Sequence, residues 1–122
     1  MALELKPTIS LSGTAAHLGA TLSLSHSDVL SVKPPMIGIT RQTISTSSNQ
    51  EIVDDSYSDD VFVYIRNTDA AQTVELLMTD DSNFGQLHPG EFAFFPLKAS
   101  AGLEVKTLAS TAVIEYAFWT RA

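Results

Sequence analysis

The chain contains no cysteine. Disulfide scaffolds, cysteine–zinc sites and cysteine nucleophiles are therefore excluded, while the redox compartment stays open. Long apolar runs are also missing. None approaches the ~20 residues of a membrane-spanning helix. The opening MALELKPTIS has no basic segment ahead of an apolar core, so no secretory signal is expected there. Positive charge is scarce. Lys6, Lys33, Arg41, Arg66, Lys98, Lys106 and Arg121 are scattered singly, and the net charge is −7. A phosphate backbone needs cations gathered on one face, and overall acidity repels it, so nucleic-acid binding is disfavoured unless folding collects a few of them.

Several chemical signatures are lacking too. There is no Gly-x-Ser-x-Gly elbow, no glycine-rich phosphate loop and no His-x-His pair. Gly85 and Gly90 stand isolated, as turn glycines do. His88 and Glu91 could contribute to a metal site of cupin type, but the ligand number and spacing fall short. Asp54, Asp55, Asp59 and Asp60 could converge on a hard cation if their loop curled, yet they lack the spacing and the glycine of an EF-hand loop. Asp80-Asp81 reads as a turn start. No metal, no cofactor and no catalytic residue is expected, and the chain is read as a non-enzyme.

What is present is alternation. In HLGATLSLSHSDVLSVK, leucines and Val32 share one parity and serines and threonines the other, which is the pattern of a half-buried strand. The 26 serines and threonines suit the solvent faces of strands. A break is expected at His26-Ser27-Asp28. Pro34-Pro35 should then stop pairing, because proline has no N–H to donate. Another alternating strand runs through Ile37 and Ile39. The stretch 47–60 holds five acidic residues and no basic one, and reads as a solvated connection with a short strand at Ile52-Val53.

Further on, DVFVYIRNTDAAQTVELLM reads as two strands around a turn at Asn67-Thr68-Asp69. NFGQL and FAFFPL flank His88-Pro89-Gly90-Glu91. Here Pro89 presets φ and Gly90 accepts a positive φ, as a type II turn requires. Residues 100–102 turn the chain again. In the last strand Ile114, Tyr116 and Phe118 share one face, and Val113, Glu115, Ala117 and Trp119 the other. The whole reads as a single all-β domain over 1–122, an antiparallel β-sandwich of eight to ten short strands, with residues 1–12 as a potential amino-terminal arm.

Strands 61–65 and 113–119 are apolar on both faces. A sheet face that meets water should be polar, so these strands are either covered twice within the chain or buried between subunits. The position of Trp119 near the end of the chain favours the subunit interface. Phe62, Tyr64, Tyr116, Phe118 and Trp119 are the expected core or interface anchors.

The series VFVYIRNT, TVELLM, FGQLHPGEFAFFPLK, GLEVKT and VIEYAFW resembles the strand-and-turn pattern of small virion proteins of tailed bacteriophages, across residues 60–121. The resemblance implies a jelly-roll-like sandwich that builds part of a particle. The leading expectation is a capsid decoration or cement protein. It would form homo-oligomers, with a trimer favoured, bind the major capsid protein, and be assembled into virions in the host cytoplasm without nucleic acid or membrane as a partner. A tail, neck or fibre-base component is the alternative. A carbohydrate- or receptor-binding module is the alternative of another class, with Tyr57 in the acidic loop as its only candidate platform.

Overall fold

The computed structural model describes residues 3–17 and 20–122, which form eleven strands and no helix. In chain order they are β1 (Leu3–Leu5), β2 (Thr8–His17), β3 (Ala20–Ser27), β4 (Leu30–Ile44), β5 (Gln50–Val53), β6 (Val61–Asn67), β7 (Val74–Leu77), β8 (Asn83–Leu87), β9 (Phe92–Leu97), β10 (Leu103–Thr107) and β11 (Ala112–Arg121). Contacts divide the chain into two compact units, residues 1–33 with Ala122, and residues 34–121.

In the first unit β1 lies antiparallel to the start of β4, with Leu3 opposite Val32 and Leu5 opposite Leu30. The backbone N–H of Ala122 donates to Ser31 O at 3.0 Å. β2 and β3 form an antiparallel ribbon with Leu11 opposite Leu24, and Ser10 opposite Ser25. Alternation sends Ile9, Leu11, Leu22 and Leu24 to one side and the serines to the other. All four of those apolar side chains are exposed. Of residues 1–12, expected as a potential arm, 3–5 lie in β1 and 8–12 in β2, while residues 1 and 2 lie outside the described residues.

The second unit is the β-sandwich. Its strands pair as one long antiparallel ribbon: β4 with β11, β5 with β10, β6 with β9, and β7 with β8. The ribbon tip is a tight turn in which Asp81 N–H donates to Met78 O and Met78 N–H to Ser82 O, both at 2.9 Å. The ribbon folds over on itself, so that β11 also meets β6 and β10 also meets β7. Within this unit the strands lie in two sheets, in the orders β4-β11-β6-β9 and β5-β10-β7-β8. This is the jelly-roll connection.

The core lies between the sheets. Val61, Val63, Ile65, Ile114, Tyr116 and Phe118 come from one, and Val53, Val74, Leu76, Leu87, Leu103 and Val105 from the other. Each large apolar side chain buried there contributes about 1.5–3 kcal/mol relative to exposure. Phe84, at the irregular pairing of β7 and β8, meets Phe95 edge-to-face at 6.1 Å between centroids, linking the two outermost strands.

Two expectations are corrected. Pro34-Pro35 does not end a strand: β4 runs through both prolines. Proline loses a donor but keeps an extended φ and its carbonyl, and Pro35 O accepts from Thr120 Oγ1 at 2.6 Å. Tyr57 is no exposed platform, since its ring packs on the core 5.9 Å from that of Phe118. The strands expected on either side of the turns at 67–69 and 88–91 are present as β6 and β7 and as β8 and β9, with each couple split between the two sheets.

Candidate interaction face

The outer surface of the β4-β11-β6-β9 sheet is where most of the singled-out aromatics meet. On β6 the odd residues point inward, leaving Phe62, Tyr64 and Arg66 outside. Opposite them on β9 sit Pro96, Phe94 and Phe92, and on β11 Trp119, Ala117 and Glu115. β4 adds Arg41, whose Nε lies 3.4 Å from Glu115 Oε2. The exposed rim is apolar: Phe92 is 63 % exposed, Ile39 61 % and Phe94 38 %.

The face is internally braced. Phe62 points outward yet is only 4 % exposed. Phe94 stacks on it at 6.4 Å between centroids, with the rings 14° apart, and the Arg121 guanidinium sits 4.9 Å over its ring. Such a cation–π contact is worth about 0.5–1 kcal/mol where solvent reaches it. Arg121 Nε also approaches Asp60 Oδ2 at 4.0 Å. The Tyr64 hydroxyl donates to Glu115 Oε1 at 2.9 Å. Burial, then the Glu115 bond, holds the Tyr64 phenol above its usual pKa, so it remains the proton donor. Glu115 thus joins Tyr64 to Arg41 across three strands.

The sequence-derived anchors separate by parity. Phe62, Tyr64 and Trp119 belong to this outer face. Tyr116 and Phe118 belong to the core, where the Tyr116 hydroxyl donates to Gln42 Oε1 at 3.2 Å. Pro89 and Gly90 form the turn after β8. Glu91 N–H donates to His88 O at 3.0 Å, and Gly90 has φ 83°. The carboxylate of Glu91 accepts from His88 N–H at 2.7 Å, and His88 Nδ1 lies 3.3 Å from Thr73 Oγ1, so both side chains brace the turn.

Sequence reasoning missed Ile39, Arg41, Arg66, Phe92, Phe94 and Arg121 as parts of one face. FAFF is apolar at both parities, so its outward pair carries no local mark. The arginines lie far apart in the chain and meet through strand pairing alone.

The opposite sheet turns a different chemistry outward. Glu51 sits opposite Glu104, and Glu75 lies on the adjoining strand β7. Burial, then the charges of Asp54, Asp55 and Glu104, raise the Glu51 pKa. Asp54 is lowered instead, chiefly by the N–H of Ser56, which donates to it at 2.8 Å. The Asn49 amide donates both to Asp81 and to Glu104, at 2.8 and 3.1 Å.

A groove of about 630 Å³ opens between Met78–Asp80, Phe84 and Phe95–Ala101. Asp80 at its mouth accepts from Ser82 N–H at 2.9 Å and is held below the usual carboxylate range by its hydrogen bonds to Ser82. It serves there as a turn cap. Among the described residues, no three His, Asp or Glu side chains gather as metal ligands would. No helix among them is long and apolar enough to cross a membrane. Comparison with protein-family models, curated proteins and solved structures finds no match to this chain.

Proposed function

We propose that this chain is a structural protein of a tailed-phage virion, acting as a decoration or cement protein on the head. The observation that carries the reading is the outward arginine–aromatic sheet face. A sandwich sheet that meets water is normally polar outside. Here Phe92, Phe94, Tyr64, Trp119 and three arginines stand where serines and threonines would serve a solvated surface. Aromatics and arginine are the residues enriched in protein interfaces and at their energetic centres. The resemblance of residues 60–121 to small virion proteins supplies the setting.

The function is binding alone. The chain would cover capsomer joints, and many modest contacts repeated by the symmetry of the shell would add up to a large gain in cohesion. Immunogold labelling of intact particles from the phage that encodes the chain tests the reading. Label spread regularly over the head is expected. Label confined to neck, tail or fibre base moves the protein to the alternative station, and particles carrying no label overturn the proposal.

A further inference from the structure

We propose that copies of this chain associate head to tail, the arginine–aromatic face of one copy seated on the acidic outer face of the β5-β10-β7-β8 sheet of the next. The proposal deepens the reading above and rests on it for its setting.

Charge is the argument for a second copy as the occupant. Residues 34–121 carry five cations, Arg41, Arg66, Lys98, Lys106 and Arg121, within a strongly acidic unit. Three of the five are turned out on one sheet amid exposed rings, where they outnumber the two carboxylates beside them, Glu115 at Arg41 and Asp60 at Arg121, and Arg66 is exposed. The opposite sheet turns out Glu51, Glu75 and Glu104, with Asp54 and Asp55 beside them. Lys106 is the one cation on those outward positions. In a two-layer sandwich these surfaces look in opposite directions, so every copy carries both halves of a complementary pair. Two arginine faces would repel one another, as would two acidic ones, whereas unlike faces attract and steer the approach. A contact between different surfaces of identical chains is heterologous: it closes into a ring where the rotation between copies allows, and otherwise leaves an unpaired half at each end. The acidic face also gains, because a neighbour's guanidinium relieves the mutual repulsion of Glu51, Asp54, Asp55 and Glu104. The exposed rings of Phe92 and Phe94 add apolar area to the same contact.

Sedimentation velocity on the full chain tests this, using wild type, Arg66→Glu and Glu51→Lys. Both substitutions fall on exposed side chains, and circular dichroism confirms folding. At low salt the wild type should sediment at a multiple of 13.2 kDa. It should dissociate as salt rises from about 0.05 to 0.5 M, where the screening length falls well below 10 Å. Each variant alone should associate at least tenfold more weakly. A mixture of the two should recover association, because Glu51→Lys keeps an intact arginine face and Arg66→Glu an intact acidic one. A monomeric wild type at low salt, a salt-insensitive oligomer, or a Glu51→Lys variant that associates like wild type would each overturn the proposal. If the chain labels phage heads but stays monomeric, the head-to-tail contact fails while the function stands. If it associates as described but labels no particle, the function fails while the contact stands.

Discussion

Gly102 and Gly90 both take positive φ, 70° and 83°, yet their surroundings make them unequal. Gly90 stands at an open turn with nothing within 4 Å of where a Cβ would be. Gly102 is buried, and a Cβ there would overlap the Thr79 methyl and meet the Asp55 Cβ at 3.0 Å. Thr79 cannot swing aside freely, since its hydroxyl donates to Ala101 O at 3.0 Å. Gly90→Ala should cost about 1–2 kcal/mol, the left-handed penalty for an L-residue. Gly102→Ala should cost that and about 1–3 kcal/mol more for overpacking. Urea unfolding of the two variants checks the order, and equal midpoints would refute the packing account. Both turns are legible as turns, since glycine's φ preference is local. The crowding at Gly102 is not legible, because it comes from side chains remote in sequence.

Strand order hinges on one corner. Between β6 and β7 the chain leaves one sheet for the other, and between β8 and β9 it returns. Asn67, fully buried, serves both crossings. Its side-chain amide donates to Gln72 O at 2.7 Å and to Leu87 O at 3.0 Å, and its Oδ1 accepts from Asp69 N–H at 3.0 Å. Its backbone N–H donates to Glu91 O and its carbonyl accepts from Gly90 N–H, both at 2.9 Å. Asn67→Ala deletes three hydrogen bonds and strands carbonyls without partners, each costing about 1–3 kcal/mol. The variant should lose about 3 kcal/mol in total, read from denaturant midpoints, and residues 87–92 should lose amide-exchange protection first. A loss below about 1 kcal/mol would mean the corner is held by something else. Asn67-Thr68-Asp69 is recognisable in sequence as a turn. That the same asparagine also holds the other crossing is a property of the folded corner.

The charge distribution of the molecule shapes its response to pH. Glu51 lies among like charges, those of Asp54, Asp55 and Glu104. Its folded pKa is raised, so ionisation weakens the native state: the stability it allows is present while it is protonated and is lost as pH rises through that folded pKa. Glu51→Gln should therefore be more stable than wild type at pH 7. The advantage should close as pH falls toward the ordinary glutamate range of about 4.3. Asp54, Asp69 and Asp80 act in the opposite sense. Hydrogen bonds to Ser56, to Ala71 and Gln72, and to Ser82 hold them low, so their support is present at neutral pH and lost as pH falls through their folded pKa values. Thermal melts of the two proteins from pH 7 to pH 3 check this. A Glu51→Gln advantage that persisted unchanged into acid would locate its cause outside charge.

Period-two alternation, the missing 3.6-residue repeat and the positions of the glycine and proline turns were enough to specify an all-β sandwich. They also placed Ile114, Tyr116 and Phe118 on one face and Val113, Glu115, Ala117 and Trp119 on the other. These are local properties, carried by side-chain parity and by φ preferences within a few residues. The inward parity of β6 and β9, apolar on both sides, had to await their partners. So did the assignment of β7 and β8 to the far sheet, and the meeting of Arg41, Arg66 and Arg121 with Phe62 and Phe94. Each of these depends on pairing between strands distant in the chain, and a residue's local pattern does not encode which distant strand lies beside it.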